Sequence, residues 1–178
     1  MILGFATFLY YNIIYLSMNT LILGQSKLGK AVFANKAFRK GEEIIEFKGK
    51  LFSYEQLPKP YDEVEDNYVQ IDKNLYMGPS GDFDDFFNHS CNPNSGIKIM
   101  GKRVILIAVK DIKKSEEITW DYSTTMDEDD WEMNCMCQSK NCRKIIRDFK
   151  YLPKEIQQKY ISLGIVPKYI LENLRQNF

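Results

Sequence analysis

The amino-acid sequence predicts a mainly β (α+β) fold of small sheets, with helices confined to its C-terminal end. From Leu21 to Asp121, short runs rich in valine, isoleucine, phenylalanine and tyrosine alternate with glycine-containing turns, which is the pattern of short strands. After Cys142 the apolar residues recur at helical spacing instead. Short strands that long helices do not separate favour several small sheets over a parallel α/β sheet.

Six short segments of this first region are predicted to be strands. They are Thr20–Leu23, Ala31–Phe33, Glu43–Phe47, Tyr68–Ile71, Ile97–Met100 and Arg103–Val109. Ser53–Leu57 is the only part of the region that resembles a helical turn. Turns are predicted at the glycines, which interrupt regular structure most readily: Gly29, Gly41, Gly49, Gly78, Gly81 and Gly101.

Three helices are predicted beyond the last cysteine, at Arg143–Tyr151, Pro153–Leu163 and Pro167–Leu174. Pro153 suits a first helical turn, where its missing N–H leaves no intrahelical bond unmade, and Gly164 suits a C-terminal cap. We expect these helices to pack against the sheets.

The composition is that of one globular domain. The chain has 178 residues, of which 44% are hydrophobic and 27% charged, and this balance excludes a wholly disordered chain. The formal net charge is zero, which argues against direct nucleic-acid binding and against a membrane surface as partner. Residues 60–132 nevertheless carry 17 acidic against 7 basic residues. The densest acidic stretch, residues 127–132, is either a solvated loop or a field that attracts a basic peptide.

The first 17 residues are predicted to be an apolar N-terminal extension. Residues 2–16 are largely apolar, and no charge occurs before Lys27, so the positive region that begins a secretory signal is missing. Polar residues interrupt the run before it reaches the ~18–20 apolar residues of a membrane span. An extension, or a true start at Met18, is therefore favoured over a membrane anchor.

All four cysteines and the single histidine fall in two short segments, residues 89–91 and 135–142. Cys135-x-Cys137-x4-Cys142 offers three thiolates close together, and Cys91 or His89 is available as a fourth ligand. Four thiolates close a tetrahedral zinc site completely, so such a site is structural. Two disulfides, or free thiols in a core, are the alternatives. Zinc thiolates indicate a reducing compartment such as the cytoplasm.

Two further segments carry groups suited to a ligand site. Asn88 and His89 supply an amide and an imidazole that can hydrogen-bond the edge of a heterocycle. Tyr122 is predicted to end a strand two residues after Trp120, where the pair either lines a narrow channel or belongs to the core.

Taken together, these motifs resemble the SET-domain protein lysine methyltransferases that carry a post-SET zinc segment, in the form of the small bacterial members. The resemblance covers about residues 20–145. The motifs that carry it are Gly-Lys-Ala-Val-Phe-Ala at 29–34, Lys-Gly-Glu-Glu-Ile-Ile-Glu-Phe-Lys-Gly at 40–49, Asn-His-Ser-Cys-x-Pro-Asn at 88–94, Glu-Glu-Ile-Thr-Trp-Asp-Tyr at 116–122 and Cys-x-Cys-x4-Cys-Arg at 135–143.

The resemblance implies a domain order and a fold. Residues 18–125 would form the SET domain, 126–146 the post-SET zinc segment and 147–178 a C-terminal helical tail. The fold would contain a pseudoknot that brings the Tyr122 segment beside the Asn88–His89 segment.

It also implies methyl transfer from S-adenosylmethionine to the ε-amine of a lysine in a basic protein or peptide. Tyr122 would be the catalytic residue and a cofactor contact. The other cofactor contacts would be Gly29, Lys30, Ala31, Asn88 and His89. The lysine channel would be lined by Phe47, Tyr68 and Trp120. One structural zinc would be held by Cys91, Cys135, Cys137 and Cys142.

Four residues depart from the usual family pattern: Ala31 for a glycine, Asp85 for an arginine, Phe47 for a tyrosine, and Trp120 for a smaller aromatic. The bulk of Trp120 favours transfer of fewer methyl groups. Two alternatives stay open, namely a SET-fold binding module with weak or no turnover, and a zinc-stapled nucleic-acid binder that uses the basic residues after Cys137.

Overall fold

A computed structural model describes residues 20–58, 67–129 and 131–176. Within these ranges the chain forms twelve short strands in five sheets, followed by two α-helices. The predicted mainly β architecture with C-terminal helices is confirmed. The predicted apolar extension, residues 1–17, lies outside the described residues. No described helix is both long enough and apolar enough to cross a membrane.

Three sheets build the body of the domain. A hairpin pairs β1 (Leu21–Ser26) with β2 (Gly29–Ala34). The central sheet has the order β3 (Glu43–Phe47), β9 (Arg103–Ala108), β8 (Ser95–Met100). A third sheet has the order β4 (Leu51–Phe52), β6 (Leu75–Met77), β5 (Val69–Asp72).

Two pairs of two-residue strands complete the set. In the first, β7 (Asn88–His89) runs parallel to β10 (Thr119–Trp120). In the second, β11 (Met133–Asn134) is antiparallel to β12 (Ile145–Ile146). Short 3₁₀ helices occur at Tyr54–Gln56, Phe83–Phe86, Tyr122–Thr124 and Phe149–Tyr151. The α-helices are α1 (Lys154–Ser162) and α2 (Lys168–Gln176).

Strand β9 is buried on both faces. Val104 and Leu106 face the main core between the sheets, whereas Ile105 and Ile107 face a second core formed with the C-terminal helices. Because successive residues of a strand point to opposite faces, an unbroken apolar run such as 104–108 requires a strand that is covered on both sides. Gly96 on the neighbouring strand lets this helical layer approach, since a Cβ there would lie 2.7 Å from Ile165.

The parallel pair β7–β10 joins segments that are about thirty residues apart in sequence. Asn88 lies opposite Thr119, and His89 lies opposite Trp120. The side chain of Asn94 reinforces the pair, because its Oδ1 accepts from the Thr119 N–H at 2.9 Å and its Nδ2 donates to the Glu117 carbonyl at 2.8 Å. This pairing is the one that the predicted pseudoknot requires, and it places the residues after Trp120 beside the Asn-His segment.

The predicted helix at Arg143–Tyr151 is wrong. Lys144 has a φ of +69°, which no helix interior accommodates, and Ile145–Ile146 pairs as a strand with Met133–Asn134. Ile146 is fully buried against the cysteines. Burying that side chain next to Cys91 and Cys135 therefore outweighs the helical spacing. The helices predicted at Pro153–Leu163 and Pro167–Leu174 are confirmed within two residues.

Candidate active site

A cavity of about 460 Å³ opens beside β10, and we call it the aromatic cavity because aromatic side chains dominate its lining. The aromatic residues that line it include Phe47, Tyr68, Phe87, Trp120, Tyr122 and Trp131. The rings of Phe47 and Phe87 are stacked, with centroids 5.9 Å apart, and those of Trp120 and Tyr122 lie 4.8 Å apart. The three predicted channel residues thus share one cavity with Tyr122.

The Tyr122 hydroxyl has a fixed orientation in this cavity. It donates to the backbone carbonyl of Phe87 at 2.8 Å. Since the proton is directed at that carbonyl, the phenol oxygen acts as an acceptor toward any further group in the cavity. The Tyr122 backbone N–H is held too, because it donates to His89 Nδ1 at 3.2 Å.

The rim of the aromatic cavity is acidic. Asp84, Asp85, Glu128 and Glu132 line it, and no lysine or arginine does so among the residues that the structure describes. Asp85 accepts from the Gly81 N–H at 2.7 Å, and Asp84 accepts from the Lys48 N–H at 2.9 Å. These two carboxylates therefore shape the loop as well as contributing negative charge.

A second cavity of about 480 Å³, here called the hairpin cavity, lies between the β1–β2 hairpin and the cysteine segment. Its polar lining includes Gln25, Ser26, Lys27, Glu117 and Gln138, and its far wall contains Met136 and Cys137. This volume falls in the range of small-molecule sites, ~300–1,000 Å³.

Asn88 is bonded to the residues around the hairpin cavity. Its Nδ2 donates to Glu117 Oε1 at 2.9 Å and to the Lys30 carbonyl at 3.2 Å. Gly29 opens β2 with a φ of +108°, a conformation that side chains rarely adopt, and Ala31 is completely buried. Lys30 and Asn88, two of the predicted cofactor contacts, thus touch each other. The predicted contacts are not themselves among the residues that line the hairpin cavity, and Asn88 is linked to that lining through Glu117.

Three of the four cysteines predicted to bind zinc lie in one compact group, and its fourth member is the histidine. Donor atoms of His89, Cys91, Cys135 and Cys137 all lie within 4.8 Å of one another. Cys91 Sγ is 3.8 Å from Cys135 Sγ, which matches thiolates at about 2.3 Å from one tetrahedral zinc, whose sulfurs lie about 3.8 Å apart. Cys142 is outside that compact group, with its Sγ 3.7 Å from the Cys135 carbonyl oxygen.

The hydrogen bonds of His89 define its tautomer. Burial lowers the pKa of His89 to about 4, so the ring is neutral near pH 7. Its Nδ1 accepts from the Tyr122 N–H, and a neutral ring then carries its proton on Nε2. Nε2 lies 3.4 Å from Cys91 Sγ, so it donates toward that sulfur, as the Arg143 N–H does at 3.4 Å.

Asp121 sits between the two cavity residues Trp120 and Tyr122 and is 1% exposed. Its carboxylate accepts a two-pronged bond from Arg143, with both N···O distances 2.7 Å. The Tyr160 hydroxyl donates to the same carboxylate at 2.9 Å. Burial raises the pKa of Tyr160 well above its usual range, so this hydroxyl keeps its proton.

Sequence reasoning missed Phe87, Asp121 and Tyr160 as parts of the site. The sequence offers a weak indication that Phe87 belongs to the site, since this residue is part of the aromatic pair that precedes Asn88. Tyr160 had none, because it lies 39 residues from Asp121 and its helical spacing predicts only packing.

A family model described as "SET domain" matches residues 29–123. The variant-silencing SET domain-containing protein of Plasmodium falciparum (isolate 3D7) is 33% identical over 132 residues, covering 65% of this chain and 5% of that protein. Histone-lysine N-methyltransferase trithorax of Drosophila virilis is 30% identical over 129 residues, covering 66% of this chain and 3% of that protein. The chain thus spans a small fraction of the length of these relatives.

Among solved structures, KRYPTONITE in complex with mCHH DNA, H3(1-15) peptide and SAH has a similar fold. The TM-score is 0.56 and the sequence identity 25%, over 71% of this chain and 29% of that one.

Proposed function

This chain belongs to the SET-domain family, and from that premise we propose that it is a protein-lysine N-methyltransferase that uses S-adenosylmethionine. The observation that carries the proposal is the aromatic cavity, where an oriented tyrosine hydroxyl meets an apolar wall and an acidic rim. Trithorax is named as a histone-lysine N-methyltransferase, and KRYPTONITE holds SAH and an H3 peptide. SAH is what S-adenosylmethionine becomes after its methyl group is transferred.

The hairpin cavity fits S-adenosylmethionine, which when bound supplies a methyl group activated by a sulfonium sulfur. The ligand combines a carboxylate, an ammonium, ribose hydroxyls and an adenine. Lys27, Glu117 and Ser26 offer a cation, a carboxylate and a hydroxyl to these groups. Gly29, Lys30 and Ala31 lie on the strand that pairs with the cavity-lining residues of β1, and Asn88 would hold that strand in place beside the ligand.

The aromatic cavity would prepare the lysine for attack. A lysine side chain has a pKa near 10.4 in water and must lose a proton before its nitrogen can attack. Phe47, Phe87 and Trp120 would disfavour the charged form by excluding water. The ammonium proton would leave to solvent first. Tyr122, fixed by Phe87, would then align the neutral amine, so that an N–C bond forms as the S–C bond breaks, which gives a methylated ammonium and a neutral thioether.

Methyl transfer itself provides the direct test. The protein would be incubated with S-adenosylmethionine labelled in the methyl group and with histones or ribosomal proteins, and label in lysine would be measured by mass spectrometry. Label on lysine is expected. Cofactor binding without transfer to any of these proteins would instead support the alternative of a SET-fold binding module, which the missing hydroxyl at Phe47 favours.

The zinc site is proposed to use Cys91, Cys135, Cys137 and Cys142, with His89 as a hydrogen-bond donor to the Cys91 thiolate. The tautomer of His89 supports this assignment, because its Nδ1 already accepts from Tyr122 and its Nε2 carries a proton. Ligand thiolates commonly accept such outer hydrogen bonds. The metal would be structural, since four thiolates leave no position for water.

Two single substitutions separate this assignment from one in which His89 is the fourth ligand. Cys142→Ser is expected to abolish stoichiometric zinc, whereas His89→Gln keeps about one zinc per chain with an affinity lowered roughly 10–100-fold. Metal analysis of the two purified variants, with competition by a chelator, measures both. Zinc retained by Cys142→Ser and lost by His89→Gln would reverse the assignment.

The acidic rim is proposed to select substrates with basic residues beside the target lysine. Glu132→Gln is expected to raise the KM for a basic peptide about two- to fivefold at unchanged kcat, because one exposed ion pair is worth up to ~1 kcal/mol. The difference should shrink as salt screens the interaction. Glu155→Gln removes the same charge from α1, away from the cavity, and should leave KM unchanged. Equal changes in both variants would exclude a local effect.

A further inference from the structure

We propose that Asp121 is a positioning residue for Tyr122, and that Arg143 and Tyr160 hold it in place from the two segments of the chain that follow the SET domain. The inference rests on the proposed methyl transfer. The family model ends at residue 123, so both donors come from outside the matched region. They would make the cysteine segment and the C-terminal helix α1 part of the catalytic machinery.

Both oxygens of the Asp121 carboxylate are occupied by groups from separate parts of the fold. Oδ1 accepts from Arg143 Nη2 at 2.7 Å and from the Ser123 N–H at 3.2 Å. Oδ2 accepts from Arg143 Nη1 at 2.7 Å and from the Tyr160 hydroxyl at 2.9 Å. Asp121 is 1% exposed, as is Tyr160. A buried carboxylate held by a planar fork and two further donors has one orientation.

That orientation is transmitted to Tyr122 through the shared backbone. Asp121 caps the 3₁₀ helix Tyr122–Thr124: its side chain accepts from Ser123, and its carbonyl accepts from the Thr124 N–H at 2.9 Å. The Tyr122 ring projects from the first position of this turn into the aromatic cavity. A small rotation of the turn therefore moves the phenol relative to the Phe87 carbonyl that orients it.

The two side chains that bind the Asp121 carboxylate, Arg143 and Tyr160, belong to two different segments of the chain. Arg143 follows Cys142 directly, so its guanidinium reaches Asp121 only when the cysteine segment is folded against Cys91, as the Arg143 N–H to Cys91 Sγ contact shows. Tyr160 belongs to α1, whose core with Phe149 and Ile165 is separate from the cysteines. The orientation of Tyr122 would thus depend on both segments being docked.

Tyr160→Phe tests the inference by removing one hydroxyl and nothing else. Its matched control is Tyr151→Phe, which removes a hydroxyl bonded to the exposed Asp129 at 3.0 Å. We expect Tyr160→Phe to lower kcat about tenfold with both KM values within about twofold, because misplacement of a reacting group acts on turnover. Tyr151→Phe should leave kcat unchanged. Arg143→Lys, which keeps the charge but loses the planar fork, should lower kcat in the same way.

A second measurement follows the Tyr122 turn without turnover. The Trp120 ring lies 4.8 Å from that of Tyr122, and the chain has two tryptophans. With 5-fluorotryptophan incorporated, the ¹⁹F resonance of Trp120, assigned by Trp131→Phe, is expected to shift in Tyr160→Phe and to stay in place in Tyr151→Phe. Thermal melts of the variants check that each is folded at the temperature used.

The outcomes separate the two proposals. A shifted resonance with reduced kcat supports the positioning role. An unshifted resonance overturns it whatever happens to kcat, and a shift with unchanged kcat overturns the claim that this position limits turnover. If the wild-type protein transfers no methyl group, the proposed function is wrong, and the bonds from Arg143 and Tyr160 to Asp121 have no catalytic role. The ¹⁹F shift still decides, in that case, whether these bonds fix the position of the Tyr122 turn.

Discussion

Replacing Tyr122 with phenylalanine is expected to lower kcat for methyl transfer about a hundredfold or more, since loss of a single preorganised polar group in a water-poor site costs 10²–10³. The phenol oxygen is a polar atom within a largely aromatic wall, and it is oriented by its bond to Phe87. The phenylalanine ring fills the same space, so the stacked neighbours should keep their positions. Steady-state and single-turnover kinetics with a lysine peptide measure the effect.

Zinc content and cofactor affinity distinguish a lost catalytic group from a damaged fold. Tyr122→Phe should bind as much zinc as the wild type, because the substitution keeps both the backbone N–H that bonds His89 and the ring that packs against His89 and the cysteine cluster. Tyr151→Phe, an exposed tyrosine outside the cavity, serves as the control for the loss of a hydroxyl. An unchanged kcat in Tyr122→Phe would remove this residue from the mechanism.

The sequence predicted correctly those elements for which the local sequence pattern and the tertiary packing favour the same structure. Arg103–Ala108 is apolar at every position after its exposed first residue because it lies in the middle of the central sheet, and Glu43–Phe47 carries isoleucine and phenylalanine at its edge. Both C-terminal helices begin directly after a proline, Pro153 or Pro167, and the first is followed by Gly164; these signals act locally. The meeting of Asn88, Trp120 and Tyr122 was predictable only through the family resemblance, since thirty residues separate the two segments.

The rest of the site depends on contacts that no local pattern encodes. A two-residue strand such as Ile145–Ile146 is too short for periodicity, and its pairing with Met133 overrides a helical signal. The role of His89 follows from which nitrogen accepts from Tyr122, and that is set by packing. In the sequence Asp121 is an ordinary polar residue at the end of a strand. Its role follows only from the contacts with Arg143 and Tyr160, which the fold creates.

Removal of the metal should have the second large effect, and it should be local. Cys91→Ser is expected to abolish zinc binding, and in small zinc domains the metal contributes an apparent ~10–16 kcal/mol at pH 7. The cysteines form a cluster of their own with Ile146, apart from the main core and from the helical core. We therefore expect hydrogen exchange to rise by orders of magnitude in residues 131–147, while β9 stays protected.

Disorder of the cysteine segment after loss of zinc should first weaken the binding of S-adenosylmethionine. Met136 and Cys137 form the far wall of the hairpin cavity, and Lys27 reaches Gln138 across it at 3.5 Å. With that wall disordered, the Kd for S-adenosylmethionine is expected to rise at least tenfold, and kcat should fall as well because Arg143 no longer holds Asp121.

Chelation of the wild-type protein, followed by readdition of zinc, provides the matched control, since the sequence is unchanged. Recovery of both parameters on readdition would tie them to the metal. Exchange that rises equally in β9 would instead mean that the metal holds the entire domain together. A cysteine segment that stays protected without zinc would show that packing of Ile146 is sufficient to dock it.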